Sequence, residues 1–318
     1  VLVVTREEIM HAVVTGGAGF IGSHLVDRLV LDGHQVTVID NFSSGMPENV
    51  SMHAAFIEAD IRTKAWLTKV KDVDFVFNLA SPASPADYLG DPLQTLLTGS
   101  EGTLNTLRLA HEHDARYLFT STSEVYGDPL IHPQPEDYWG NVHTTGPRAC
   151  YDEAKRFSET LIDTYHRYVS LQTVIVRLFN TYGPRMRPSD GRVISTFVRQ
   201  GLAGEPMTIF GDGTQTRSIS YIDDTVEGII RAAAVGHPGP INLGSPFEVN
   251  IRELSYLVAQ ALDVPHRVTY LPLPEDDPKM RRADTRLARQ ILEWNPSITP
   301  TDGIRKTVEW MKNLETER

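Results

Sequence analysis

Tyr151 and Lys155 stand four residues apart in a stretch that reads as a helix, so they share one face. An ammonium there helps hold a phenol near ionisation, the state needed to take a proton from an alcohol while hydride leaves the same carbon. An unperturbed tyrosine has a pKa of about 10, so a phenolate near neutral pH needs positive charge beside it. Lys155 and an oxidised nicotinamide ring would supply two such charges. Tyrosine and lysine are both common on helices, and the pair carries weight only with a dinucleotide site upstream.

Such a site precedes it. Residues 12–15 form a short apolar run that predicts a buried strand, and Gly16, Gly17, Gly19 and Gly22 follow, with Phe20 and Ile21 among them. Leu25, Val26, Leu29 and Val30 then mark one face of a helix. The glycines permit a tight turn and let the backbone approach a pyrophosphate seated on the helix N-terminus. Residues 36–39 read as the second strand, and Asp40 ends it. Its carboxylate is placed to accept hydrogen bonds from the adenosine ribose and to repel the extra phosphate of NADP, so NAD is the expected cofactor.

The elements that must position these groups alternate along the chain. Further strands are predicted at 54–58, 74–78, 117–120 and 173–176, with helical patterns at about 93–112 and 152–168. The expected fold is α/β: a Rossmann-type, doubly wound parallel sheet with a smaller C-terminal substrate-binding part. Residues 1–178 form the cofactor domain in this reading and 179–318 mainly the substrate domain, with about 222–244 returning to the first. Ligands in such sheets bind beyond the carboxyl ends of the strands. There stand Asp60 and Ile61, suited to the adenine, Ala80 and Ser81, suited to the nicotinamide ribose, and residues 121–124. The Pro- and Gly-rich segment 127–148 reads as a loop across the rim of the site.

Composition narrows the partners. The chain has 318 residues, 41% hydrophobic content and a net charge of -11, which disfavours nucleic acid and leaves anionic ligands to locally placed arginines. Cys150 is the single cysteine, which excludes an internal disulfide or a Cys-based zinc cluster. Beside Tyr151 it reads as a small buried residue at a helix start. The eleven histidines show no metal-ligand spacing, and no metal is expected. No segment is apolar for long enough to span a membrane. The run 1–4 is too short for a signal peptide and meets Arg6, Glu7 and Glu8, so a cytoplasmic location is expected.

Longer motifs extend the pattern: TGGAGFIGSHL at 15–25, IDNFSSG at 39–45, LASPASP at 79–85 and TSTSEVYGDP at 120–129. GPRACYDEAKR at 146–156, RLFNTYGPRM at 177–186, DGRVIS at 190–195, GDGTQTRSISYIDD at 211–224 and DDPKMRRAD at 276–284 follow. With these the chain resembles the extended short-chain dehydrogenases/reductases, and among them the UDP-glucuronate decarboxylases. The glycine motif and the Tyr–Lys pair mark only the superfamily. The 122–124 segment, the ACYDEAKR stretch and the segment around Arg281 point to the decarboxylases.

The resemblance implies a redox-neutral cycle. Tyr151 takes the C4 hydroxyl proton as hydride passes to NAD, and the resulting 4-ketone lets the C5 carboxylate leave as carbon dioxide. C5 is reprotonated and hydride returns to C4, giving UDP-xylose. It also implies that Asn41, Ser44, Gly45 and Leu79 join the cofactor site, and that Thr122 and Ser123 hydrogen-bond the developing oxyanion. Glu124 becomes an acid/base or a water-orienting group at C5. Burial beside an anionic substrate should raise its pKa, leaving either protonation state open. Arg281, by its residues alone a surface arginine in the charged run 279–282, becomes the partner of the sugar carboxylate or a guide for the C5 proton. Pro82, Asn180, Arg185, Arg192 and Arg217 are implied contacts of the UDP-sugar, and helices 93–112 and 152–168 the face of a homodimer.

Neighbouring chemistries differ at named positions. A 4,6-dehydratase carries an acid where this chain has Ser123, and a 4-epimerase usually has a small residue at the place of Glu124. A truncated reaction releasing UDP-4-keto-pentose is open on these residues. A non-catalytic NAD-bound scaffold would have no need of Tyr151, Lys155, Glu124 and Arg281 together. Departures from the family pattern fall at 99–101, at 143–145 and at Ala283, and none removes a group the chemistry needs.

Overall fold

Short apolar strands alternating with amphipathic helices build a parallel sheet in the computed structural model, which describes residues 9–246, 248–273 and 280–316. The 1–4 run, Arg6 to Glu8 and the 276–279 part of the DDPKMRRAD stretch lie outside the described residues. The strands are β1 (His11–Thr15), β2 (Gln35–Asp40), β3 (Ala55–Glu58), β4 (Phe75–Asn78), β5 (Arg116–Thr122) and β6 (Thr173–Leu178). A seventh, Pro240–Leu243, follows helix Ile222–Val235 and pairs in parallel with β6. Across the sheet the order is Pro240–Leu243, β6, β5, β4, β1, β2, β3. The direction of winding reverses between β1 and β4, and a crevice opens there at the strands' carboxyl ends.

Helix α1 (Phe20–Leu31) buries Leu25, Val26 and Leu29 on one face of the sheet, each contributing about 2 kcal/mol of apolar burial. That core runs on through Ile229 and Ala232 into Phe197, Ile209, Leu254 and Ile304 of the C-terminal part. On the opposite face Leu107, Ala110 and Ile162 pack with Trp66 and Phe119. The helix carrying the Tyr–Lys pair runs from Ala149 to Val169.

The helix expected at 93–112 is three joined pieces: Pro92–Leu97, a π turn at Thr98–Gly102, and Thr103–Glu112. Asp91 caps it by accepting from the Gln94 N–H at 3.0 Å. The π turn lies against helix 149–169 because Gly99 lacks a side chain. A Cβ there would stand 2.7 Å from that of Ala154, and Ser158 Oγ donates to the Gly99 carbonyl at 2.7 Å. The departure at 99–101 thus falls where a widened turn meets the helix of Tyr151 and Lys155.

A small second sheet stands at the mouth of the crevice. Asn180–Tyr182 and Met280–Arg281 pair in parallel with Thr216–Tyr221, and Glu248–Asn250 pairs antiparallel with it. Its register sets Arg281 opposite Arg217. No described helix is long and apolar enough to cross a membrane, and the described residues hold no cluster suited to a metal ion.

Candidate active site

The glycine turn is built by hydrogen bonds from the Gly16 N–H to the Ile39 carbonyl at 2.8 Å and from the Gly19 N–H to the Gly16 carbonyl at 3.1 Å. Gly16 has φ +72°, and a Cβ on it would lie 2.8 Å from the backbone of Ala80. One on Gly22 would collide with the Gly16 carbonyl oxygen. No side chain caps the start of α1, so its first N–H groups are open to an anion. Backbone cradle, bare helix start and Asp40 together fit the diphosphate and ribose of NAD.

Asp40 is buried at the end of β2 and accepts from the N–H groups of Ala18 at 3.0 Å and Phe42 at 2.8 Å. Burial pushes its carboxyl above the usual range despite these bonds. Gly45 packs beneath it, where a Cβ would stand 2.9 Å from Oδ1. Asp60 is clamped by Arg62, Nη2 to Oδ2 at 2.7 Å, and that hydrogen bond holds its carboxyl below the ordinary value. Asn41 Nδ2 reaches the same oxygen at 3.2 Å. Arg62 joins a site in which sequence reasoning named only the acid.

A single open crevice runs from the glycine turn to the helix of Tyr151 and Lys155. Gly16, Gly19, Phe20, Ile21, Gly22, Asp40, Asn41, Ser44, Asp60, Ile61, Leu79, Ala80, Ser81 and Pro82 line one end. Thr122, Ser123, Glu124, Tyr151, Lys155, Asn180, Arg185 and Arg192 line the other. Gly45, Arg217 and Arg281 stand off its wall. Arg217 is buried in the small sheet and Nη1 donates to the Thr216 carbonyl at 2.8 Å. Arg185 donates to Asp27 on α1 at 2.6 Å while its Nη1 is buried without a partner. Arg192 starts helix Val193–Leu202 and donates to the Ala83 carbonyl at 2.9 Å. Sequence reasoning missed Arg187, which grips Asp87 at 2.7 Å on the same wall.

Tyr151 is buried, hydrogen-bonded with Thr122 and stacked on Tyr88 with ring centres 5.0 Å apart. Burial, then the charge of Glu124, pushes its phenol up to about 12. Lys155 Nζ donates to the Thr120 carbonyl at 2.8 Å and lies 5.9 Å from the Tyr151 ring centre. Desolvation brings its ammonium down to about 7. The protein by itself therefore keeps the phenol protonated, and an ammonium so weakened by burial does not ionise it unaided. Behind the pair, Ser121 Oγ and Arg177 Nη2 both donate to Glu159, at 2.5 and 2.7 Å, tying the helix to β5 and β6.

Glu124 stands between two opposing effects. Burial would raise its carboxyl, but the guanidiniums of Arg281 and Arg148 outweigh burial and hold it at about 2, so it is ionised. Arg281 Nη2 donates to Oε2 at 2.8 Å, Arg281 Nη1 to Oε1, and Arg148 Nη2 to Oε2 at 3.0 Å. Arg281 is buried, not a surface arginine, and its head group is already engaged. Arg148 escaped sequence reasoning although it lies inside a matched motif, because nothing local says which acid it meets. Beside the cluster, burial and then the charge of Glu124 push Asp152 up to about 7, and one of its oxygens is buried without a partner.

Residues 12–244 match the NAD dependent epimerase/dehydratase family. UDP-glucuronic acid decarboxylase 4 of Arabidopsis thaliana is 47% identical over 304 residues, which cover 94% of this chain and 68% of that protein. Among solved structures, UDP-glucose 4-epimerase of Thermotoga maritima with UDP-glucose is similar at a TM-score of 0.91 and 30% identity, over 96% of this chain and 100% of that one. UDP-glucuronic acid 4-epimerase of Bacillus cereus, in complex with UDP-glucuronic acid and NAD, is similar at a TM-score of 0.87 and 29% identity, over 96% and 100%.

Proposed function

Since this chain belongs to the NAD dependent epimerase/dehydratase family, we propose that it is an NAD-dependent decarboxylase converting UDP-glucuronate to UDP-xylose. One observation carries the reading beyond the family: the Glu124 carboxyl, gripped by Arg281 and Arg148, stands on the crevice wall with Tyr151. A sugar bearing a carboxylate at C5 gives such a cluster a purpose that a neutral sugar does not. The decarboxylase relative shares nearly half of its aligned residues with this chain, whereas the epimerase structures share under a third.

NAD, when bound, supplies the hydride acceptor at the start and the donor at the end. Tyr151, hydrogen-bonded with Thr122, takes the C4 hydroxyl proton as a phenolate, a state that needs the positive charge bound NAD would add beside Lys155. The C5–carboxylate bond then breaks heterolytically, and its electron pair spreads onto the C4 oxygen. The Tyr151 proton and the Thr122 and Ser123 hydroxyls face that oxyanion, and one well-aimed donor contributes about 3 kcal/mol. Arg281 orients the carboxylate before it leaves. An ionised Glu124 has no proton to give, so in this reading it orders a water for C5 and steadies Arg281. Asn180, Arg185, Arg187 and Arg192 hold the UDP part, with Arg217 supporting Arg281 from the next strand.

The sheet-bearing part, 1–178 with 222–244, carries the cofactor in this proposal, and the remainder of 179–318 carries the sugar nucleotide. A homodimer is supported by apolar side chains left on the surface of the 92–97 and 149–169 helices. Leu93 is 65% exposed, Leu96 40% and Phe157 51%. The lone free thiol of Cys150 suits a reducing compartment such as the cytoplasm. The test is to incubate the purified protein with UDP-glucuronate, with and without added NAD, and follow products by NMR. UDP-xylose without net NADH is the expected outcome. UDP-4-keto-pentose with NADH would replace the full cycle by the truncated one, and unchanged UDP-glucuronate would refute the decarboxylase reading.

A further inference from the structure

Arg148 has a place in the site that the chemistry of Tyr151 leaves unexplained. It starts the 149–169 helix three residues before Tyr151, and its Nη2 donates to Glu124 Oε2 at 3.0 Å. The same oxygen accepts from Arg281 Nη2 at 2.8 Å, while Arg281 Nη1 holds the other oxygen. One carboxylate therefore meets two guanidiniums in a largely water-excluded setting. Arg217 adds positive field from the opposite register position. Buried charge is costly until an opposite charge joins it. Arg281 has a donor to spare for an anion, because its Nε is buried without a partner.

We propose that Arg148 is a positioning residue for carboxylate selection: it keeps hold of Glu124 while Arg281 turns to the C5 carboxylate of the sugar. This rests on the decarboxylase reading for the identity of that carboxylate. With Arg148 in place, Glu124 retains a hydrogen-bonded cation throughout the exchange. With Arg148 gone, release of Arg281 strips a buried carboxylate of its hydrogen-bonded counter-charge, so Arg281 stays where it is and the substrate loses its clamp. A sugar with a hydroxymethyl group at C5 makes no such demand. Arg148 therefore sets the preference for a uronate over the corresponding neutral hexose, acting through Glu124 and without touching the sugar.

The experiment is calorimetric binding of UDP-glucuronate and UDP-glucose to NAD-loaded protein, in a Tyr151→Phe background that prevents turnover. Arg148→Met is expected to weaken UDP-glucuronate by about tenfold or more, the loss of one charge-assisted hydrogen bond, and UDP-glucose by less than about twofold. Arg148→Lys, which keeps the charge, recovers most of the preference. In a Glu124→Gln background the same Arg148→Met change alters the preference by less than about twofold, because the residue it acts through is gone. Where the methionine variant does not fold, Arg148→Gln gives the same comparison. Equal weakening of both sugars would overturn the proposal in favour of a structural role, and so would an undiminished effect in the Glu124→Gln background. Failure of the tyrosine-intact protein to make UDP-xylose would sink the decarboxylase reading separately, since the binding preference is measured without turnover.

Discussion

Glu124→Gln preserves shape and removes one buried charge. Burial alone would push this carboxyl up, but Arg281 and Arg148 overcome burial and hold it at about 2, against an ordinary value of 4.5. A gap of about 2.5, at about 1.4 kcal/mol for each pH unit, corresponds to about 3.5 kcal/mol of folding free energy at pH 7. The folded-state value is the lower one, so this contribution is complete above about pH 4.5 and is lost as pH falls through about 2. Urea unfolding followed by the fluorescence of buried Trp66 and Trp294 measures it. Wild type should exceed the variant by about 3.5 kcal/mol at pH 7, a difference that shrinks to about 1.4 kcal/mol by pH 3. A difference under about 1 kcal/mol at pH 7, or one that does not change between pH 7 and pH 3, would show that the two arginines do not hold Glu124 ionised.

Three further substitutions test neighbouring groups. Tyr151→Phe should bind NAD normally and slow UDP-xylose formation by about a hundredfold or more, read by NMR of the products. Lys155→Met should be inactive yet more stable than wild type at pH 6. Its ammonium is pushed down to about 7 from 10.5, so wild-type stability rises with pH between those values and the advantage of the variant fades towards pH 10. After allowing for the lost hydrogen bond to the Thr120 carbonyl, the gain at pH 6 is about 2 kcal/mol by thermal unfolding. Gly22→Ala should weaken NAD by about tenfold or more in a fluorescence titration while leaving UDP binding intact, because the added methyl meets the Gly16 carbonyl in the cofactor turn.

The parts of the molecule legible in the sequence are those built by neighbours in the chain. Strand, glycine turn, α1, β2 and Asp40 are such a run, and each step restricts the next through backbone geometry alone. The Tyr151–Lys155 helix shows itself by its spacing, and the sheet by the alternation of its elements. The π turn at 98–102 was not legible, because it depends on how closely Gly99 approaches Ala154 on another helix. The resemblance makes Arg217 a ligand contact, and only the tertiary structure shows that it is buried in a small sheet, where its guanidinium donates to the Thr216 carbonyl.

The ionic cluster belongs wholly to the tertiary structure. Glu124 and Arg281 are 157 positions apart, and Arg148 reaches the same carboxylate across a loop from a helix start. By itself the sequence determined that a dinucleotide turn precedes a Tyr–Lys pair on a parallel sheet, since those are consequences of local spacing. It left the charge of Glu124 open, because burial and cations push a carboxyl in opposite directions and only their distances decide which prevails. Packing of the small sheet brings the Arg281 guanidinium within hydrogen-bonding reach and the start of the 149–169 helix brings that of Arg148, and there Coulomb attraction exceeds the cost of desolvation.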